Sequence, residues 1–258
     1  MDEQIRKKVM EEVEKQLQSS KNTLKRSEKQ SSLTEFVGTA IGDTIGLVIA
    51  NVDQLLHEKM NIDKKYRSIG ILGARTGAGP HIMAVDEAVK ATNTEVLSIE
   101  LPRDTKGGAG HGSLIILGSE DVSDARRAIE VALQTIETTM GDVYSNDAGH
   151  LEFQYTARAS YAIEKAFGAP LGKSFGLICA GPAAIGVVLA DAAVKAANVQ
   201  VVSYSSPANG TSFSNEVILT VSGDSGAVRQ AVMAARDIGI SLLGTLGETP
   251  VSVTTPYI

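Results

Sequence analysis

The sequence predicts an α+β protein built from two tandem copies of one small domain, each a mostly antiparallel sheet flanked by helices. The first observation behind this is an internal repeat. "DEAVKATNTEVLSIE" (86–100) and "DAAVKAANVQVVSYS" (191–205) share eight of fifteen residues at an offset of 105. "SIGIL" (68–72) returns as "SFGLI" (174–178) at offset 106, and "ARRAIEVAL" (125–133) as "VRQAVMAAR" (228–236) at offset 103. The second observation is the mixture of periods within each copy. Short apolar or alternating runs of strand length stand between amphipathic runs of helical length.

The first thirty residues differ from the rest. Fourteen of them are charged, and Ile5, Val9, Val13 and Leu17 recur every fourth residue, which makes a narrow apolar stripe on a helix. "SSKNTLKRSEKQSS" (19–32) is polar and without period, and reads as a linker. The folded part is expected from Leu33, with domains at 33–147 and 148–258. A strand at 43–50 alternates through Ile45, Leu47 and Ile49, which at offset 106 fall on Leu151, Phe153 and Tyr155. A helix follows near 52–60, then a strand at 68–74, a small-residue helix near 80–92 and a strand at 95–101. After the glycine-rich stretch "RDTKGGAGHGS" (103–113) come a strand at 113–118 and a helix in "SEDVSDARRAIEVALQTIE", capped by Asp121 or Ser123.

Composition bounds the function. The net charge of −6 argues against nucleic acid, which demands basic patches. Cys179 is the sole cysteine, so an internal disulfide is impossible, and the charged start has no apolar signal region; together these read as cytosolic. The longest apolar run, "FGLICAGPAAIGVVLA" (175–190), is shorter than the ~20 residues that span a bilayer. It reads as a buried strand turning into a buried helix, with no membrane partner.

The catalytic motifs fail on context. A phosphate-binding glycine loop opens a helix, whose N–H groups and dipole hold the anion, whereas residues 103–113 lead into a strand. "GARTGAGP" (73–80) does precede a helix and could hold an anion, but the second copy has "CAGPAAIG" there, without Arg75 or Thr76. A close helix–sheet turn explains its glycines. "GKSFG" (172–176) matches a nucleophile elbow, yet Ser174 begins a strand. His57, His81, His111 and His150 lack metal-ligand spacing and read as surface or loop residues, and Cys179 reads as a small core residue. Asp86 and Asp191, equivalent in the two copies, suit an architectural contact better than an active site. No catalytic residue, cofactor or metal is expected. The alternative is a nucleotide- or anion-binding cytosolic enzyme using Arg75–Gly79 and the 104–111 loop.

The stretch 175–235, above all "ADAAVKAANVQVVSY" and "GDSGAVRQA", resembles the bacterial microcompartment (BMC) shell domain, and the tandem copies resemble its double-domain, trimer-forming class. The likeness extends over 33–258 through "SLTEFVGTAIGDTIGLVIANVD", "YRSIGILGARTGAGPHIMA", "ELPRDTKGGAGHGSLIILG" and "SPANGTSFSNE". It implies circularly permuted domains, a homotrimer that tiles with other shell proteins, and no enzyme activity. It also implies that the loop after the third strand of each copy faces a pore for small diols or glycerol. The pore residues would be Thr105, Lys106, Gly107, Gly108, Gly110 and His111 in the first copy, and Asn209, Gly210, Thr211, Ser212, Phe213 and Ser214 in the second. The N-terminal helix, with Ile5, Val9, Val13 and Leu17 as anchors, would then bind encapsulated enzyme cargo or another shell component.

Overall fold

The structure, a computed structural model, describes residues 33–104 and 111–258. The expected N-terminal helix with Ile5, Val9, Val13 and Leu17, and the loop residues Thr105, Lys106, Gly107, Gly108 and Gly110, lie outside the described residues.

The first copy runs β1 (Phe36–Ala40), β2 (Thr44–Ile49), α1 (Gln54–Met60), β3 (Ser68–Ala74), α2 (Gly79–Ala91), β4 (Glu95–Glu100), β5 (Ser113–Ser119) and α3 (Val122–Thr139). The second repeats that order as β6 (Val143–Asn146), β7 (Gly149–Thr156), α4 (Tyr161–Phe167), β8 (Ser174–Gly181), α5 (Ala183–Ala196), β9 (Gln200–Ser205), β10 (Val217–Gly223) and α6 (Ser225–Gly244). A short β11 (Val251–Ser252) then returns to pair with β6. The sheet orders are β1-β2-β3-β5-β4 and β11-β6-β7-β8-β10-β9, so the two copies share one topology. Residues 37–258 form one compact unit. Asp121 caps α3, accepting from the Ser123 amide at 2.9 Å, and Asp224 caps α6 in the same way.

Two features differ from the sequence expectation. The first is the pair of leading strands, β1 and β6. The expected boundary at 147/148 falls in the two-residue loop of the β6–β7 hairpin, where Asn146 pairs with Gly149, so Val143–Asn146 is built into the second sheet. The second is the face of β2. Ile45 pairs with Gly73, and the equivalent of Gly73, Cys179, pairs with Glu152; the offset between β2 and β7 is therefore 107 rather than 106. A shift of one residue reverses every side chain. Leu151 and Phe153 are fully buried under the second copy's helices, whereas Ile45, Leu47 and Ile49 lie on the sheet face away from α3. On the helix face, Gly46 and Gly70 let Ile129 of α3 come close: a Cβ on Gly70 would stand 2.8 Å from Ile129 Cγ1.

The copies meet through α2. Its Ile82, Met83, Val85 and Ala88 share one apolar cluster with Ala162 and Ile163 of α4 and with Phe175, Leu177 and Cys179 of β8. The buried Asp86 carboxylate fixes the start of α4, accepting from the Ser160 amide at 2.9 Å and from its hydroxyl at 2.5 Å, while Lys90 Nζ lies 2.7 Å away. Asp86 thus has the architectural role expected of it. Its repeat partner Asp191 is exposed and holds Lys195 at 2.6 Å.

Candidate functional site: a polar cavity where the copies meet

Strand register assembles the site. Across β7, β8 and β10, one row reads His150–Gly181, continued by Glu216 just before β10, and the next reads Glu152–Cys179–Ile218. Paired residues share a face of the sheet, and so do residues two apart. His150, Glu152, Cys179 and Glu216 therefore converge on the face that α2 covers. Gly181 leaves room in the row: a Cβ there would lie 2.7 Å from His150 Cε1. From the first copy, Gly79 at the start of α2 approaches Glu152, and a Cβ on it would stand 3.2 Å from Oε2. His111, at the end of the first glycine-rich loop, reaches Glu216 with Nδ1 2.5 Å from Oε1. His150 Nε2 lies 3.6 Å from Glu216 Oε2. Cys179 Sγ lies 3.6 Å from that same oxygen and 3.8 Å from His150 Nε2.

A cavity of about 100 Å³ opens beside this cluster, lined by Gly79, Leu101, His111, Glu152, Gly210, Ser212 and Glu216 among others. Burial alone would raise the Glu216 carboxyl, but the His111 hydrogen bond and then the nearby His150 imidazole outweigh it and hold it below its ordinary value. The same hydrogen bond raises His111. Burial pushes Glu152 up. It pushes the Cys179 thiol well above its ordinary value too, which disfavours a thiolate nucleophile. The arrangement can bind a small polar group or a cation.

Of the expected pore residues, His111, Gly210 and Ser212 border this cavity. Asn209, Gly210, Ser212 and Phe213 are exposed, with Phe213 77 % accessible. Thr211 and Ser214 are buried inside their own loop, where the Thr211 hydroxyl donates to the Ser214 carbonyl at 3.1 Å. Gly210 has φ +99°, and a Cβ there would stand 2.6 Å from Ser205 Oγ, so the turn itself requires glycine. Arg75, the candidate anion ligand, is bidentate to Asp104 at 2.8 and 2.9 Å. His57, His81 and His150, read from sequence as surface or loop residues, are buried. Their helix and strand positions face packed neighbours that only the tertiary fold supplies. Sequence reasoning sets His150 and Cys179 aside as a loop and a core residue and gives no signal for Glu216; the alternation H-x-E in β7 is the one local sign that joins His150 to Glu152.

The BMC domain family matches residues 68–147 and 174–251, one match in each copy. The chain belongs to the bacterial microcompartment shell family. This shell protein is 72 % identical over 232 residues to the bacterial microcompartment shell protein PduB of Citrobacter freundii, covering 90 % of this chain and 86 % of that protein. Among solved structures it matches that of a trimeric bacterial microcompartment shell protein PduB, with TM-score 0.85 and 57 % identity over 88 % of this chain and 100 % of that one. It also matches EtuB from Clostridium kluyveri, with TM-score 0.86 and 58 % identity over the same shares. The shell protein is therefore an α+β, tandem-domain component of the PduB type, and its homologues are structural proteins. Among the described residues no helix is long and apolar enough to cross a membrane.

Proposed function

We propose that three copies of this chain close head to tail into a flat ring of six BMC domains, a structural shell tile without catalytic activity of its own, perforated for small polar metabolites such as 1,2-propanediol or glycerol.

One observation carries the ring. The junction between the two copies has a twin on the outside of the chain with half of each contact missing. By the repeat, Ile82 and Met83 correspond to Val187 and Val188, Val89 to Val194, Val96 to Val201, and Ala162 and Ile163 to Leu55 and Leu56. Ile82, Ala162 and Ile163 are fully buried, whereas Val187 is 52 % and Leu55 is 72 % exposed. An exposed apolar pair of this kind marks an interaction surface. Val187, Val188, Val194 and Val201 belong to one end of the chain, and Leu55 and Leu56 to the other. A contact between them is heterologous, and a constant rotation closes it into a ring. Two domains per chain in a six-domain ring give three chains.

The pore reading rests on the exposed Asn209, Gly210, Ser212 and Phe213, on the cavity at His111, and on the likeness to shell proteins. Hydroxyl, amide and backbone groups exchange hydrogen bonds with a diol at little net cost. Other shell proteins would be the lateral neighbours of the tile, and the segment 1–32 would reach enzyme cargo through Ile5, Val9, Val13 and Leu17. Sedimentation of the purified chain tests the ring, with a trimer expected at micromolar concentration, and electron microscopy of overexpressed protein should find sheets. A monomer under these conditions rejects the reading.

A further inference from the structure

We propose that His150, Cys179 and Glu216 form a binding site for one divalent transition-metal ion per chain, with zinc the best match. The geometry carries this. The three facing atoms, His150 Nε2, Cys179 Sγ and Glu216 Oε2, make a triangle with edges of 3.8, 3.6 and 3.6 Å. Tetrahedral zinc bound at about 2.3 Å to sulfur, 2.1 Å to nitrogen and 2.0 Å to oxygen would set those edges at about 3.4–3.6 Å. The imidazole–carboxylate distance of 3.6 Å is too long for a hydrogen bond, which closes to about 2.7–3.2 Å. It suits two ligands that share an ion, and the Cys179 thiol, which donates to Glu216 Oε2 at 3.6 Å, would give up that hydrogen bond to the metal. Mixed sulfur, nitrogen and oxygen donors favour zinc over magnesium or calcium.

The setting fits as well. All three side chains are buried, and they stand on or beside adjacent strands β7, β8 and β10, which fix their positions. His111 holds the other oxygen of Glu216 at 2.5 Å and so aims the carboxylate, the role that a partner of a metal-bound carboxylate plays. The adjoining cavity of about 100 Å³, which Cys179 and Glu216 both line, leaves room for a fourth ligand such as water. The first copy lacks the set: the equivalents of His150, Cys179 and Glu216 are Asp43, Gly73 and Gly112, so one ion per chain is expected. On binding, the sulfur–metal bond replaces the S–H bond of Cys179, and the proton leaves to solvent.

The test uses the purified full chain in its assembled form, stripped with chelator and dialysed. Titration with cobalt(II) should give a thiolate-to-cobalt charge-transfer band that saturates at one ion per chain, and zinc should displace it. Cys179→Ser and Glu216→Gln should each weaken binding at least tenfold, and His111→Gln should weaken it 10–100-fold at unchanged stoichiometry. Circular dichroism reports whether each variant folds. If a variant does not fold, the charge-transfer band of the parent protein still decides whether Cys179, the sole thiol, is a ligand. Absence of that band, or equal binding by the parent and the folded variants, overturns the proposal.

Discussion

The proposed ring stands on an apolar joint between α5 and β9 of one chain and α1 of the next, and Val187→Asp attacks it directly. Fully burying a valine or leucine gains about 1.5–3 kcal/mol. Leu55, Leu56, Val187, Val188, Val194 and Val201 begin between 40 and 72 % exposed, so each has roughly half of that to gain, about 1 kcal/mol. The apolar contribution is then about 6 kcal/mol per joint before the cost of association. Val187→Asp removes one of these terms and places an unpaired carboxylate in the joint, a penalty of several kcal/mol. The joint's dissociation constant should rise on the order of 10²–10³-fold. Sedimentation velocity across micromolar concentrations should show trimer for the parent and monomer for the variant, with circular dichroism unchanged because Val187 is exposed in the chain. Leu55→Asp should do the same from the other side. Mixing the two variants leaves one intact joint between an unaltered α5 and an unaltered α1, and should give a one-to-one dimer that neither forms alone. A Val187→Asp chain that remains trimeric at the parent's affinity refutes the pairing of these surfaces.

Asp53→Ser copies the internal joint, where Ser160 donates to Asp86, and keeps a residue able to cap α1; trimer dissociation on dilution should become several-fold weaker. The His81 imidazole is pushed down to about 4 by burial, from 6.5, and lies 2.8 Å from Thr44 Oγ1. Its neutral form is the folded one, so stability holds above pH 6.5 and falls as pH drops from 6.5 to 4, by up to about 3 kcal/mol; chemical denaturation of His81→Gln should lose that part of the pH dependence. Gly108→Leu should slow diol passage through assembled tiles while trimers persist, and unchanged flux would remove the first glycine-rich loop from the pore. Deleting residues 2–30 should leave the trimer intact and detach cargo from the shell, read by co-purification of cargo with shells.

Much of the fold was legible because its signals are local. The repeat gave the copy number, the small-residue helices α2 and α5 followed from "DEAVKA" and "DAAVKA", and Asp121 was named among the caps of α3. β1 and β6 were missed because they are short: "FVGTA" and "VYSN" give no period, and only the hairpins to β2 and β7 make them strands. The reversed face of β2 was missed because Ile45, Leu47 and Ile49 alternate as a core face would, while the true helix-facing residues include Gly46, whose role is to be small. The site was hidden for a different reason. His150, Cys179 and Glu216 stand 29 and 37 residues apart, and no spacing rule joins them; the antiparallel registers of β7, β8 and β10 bring them into adjoining rows. The repeat nevertheless contains a usable signal. Two copies under the same architectural demand should differ least where structure alone decides. At these three positions a buried imidazole, thiol and carboxylate replace Asp43, Gly73 and Gly112. Burying three polar groups costs stability unless they bind one another or a ligand. The second copy meets part of that cost within the cluster, where the Cys179 thiol donates to Glu216 Oε2 at 3.6 Å and His111 and His150 stand against the same carboxylate; the first copy has no counterpart to this arrangement at Asp43, Gly73 and Gly112.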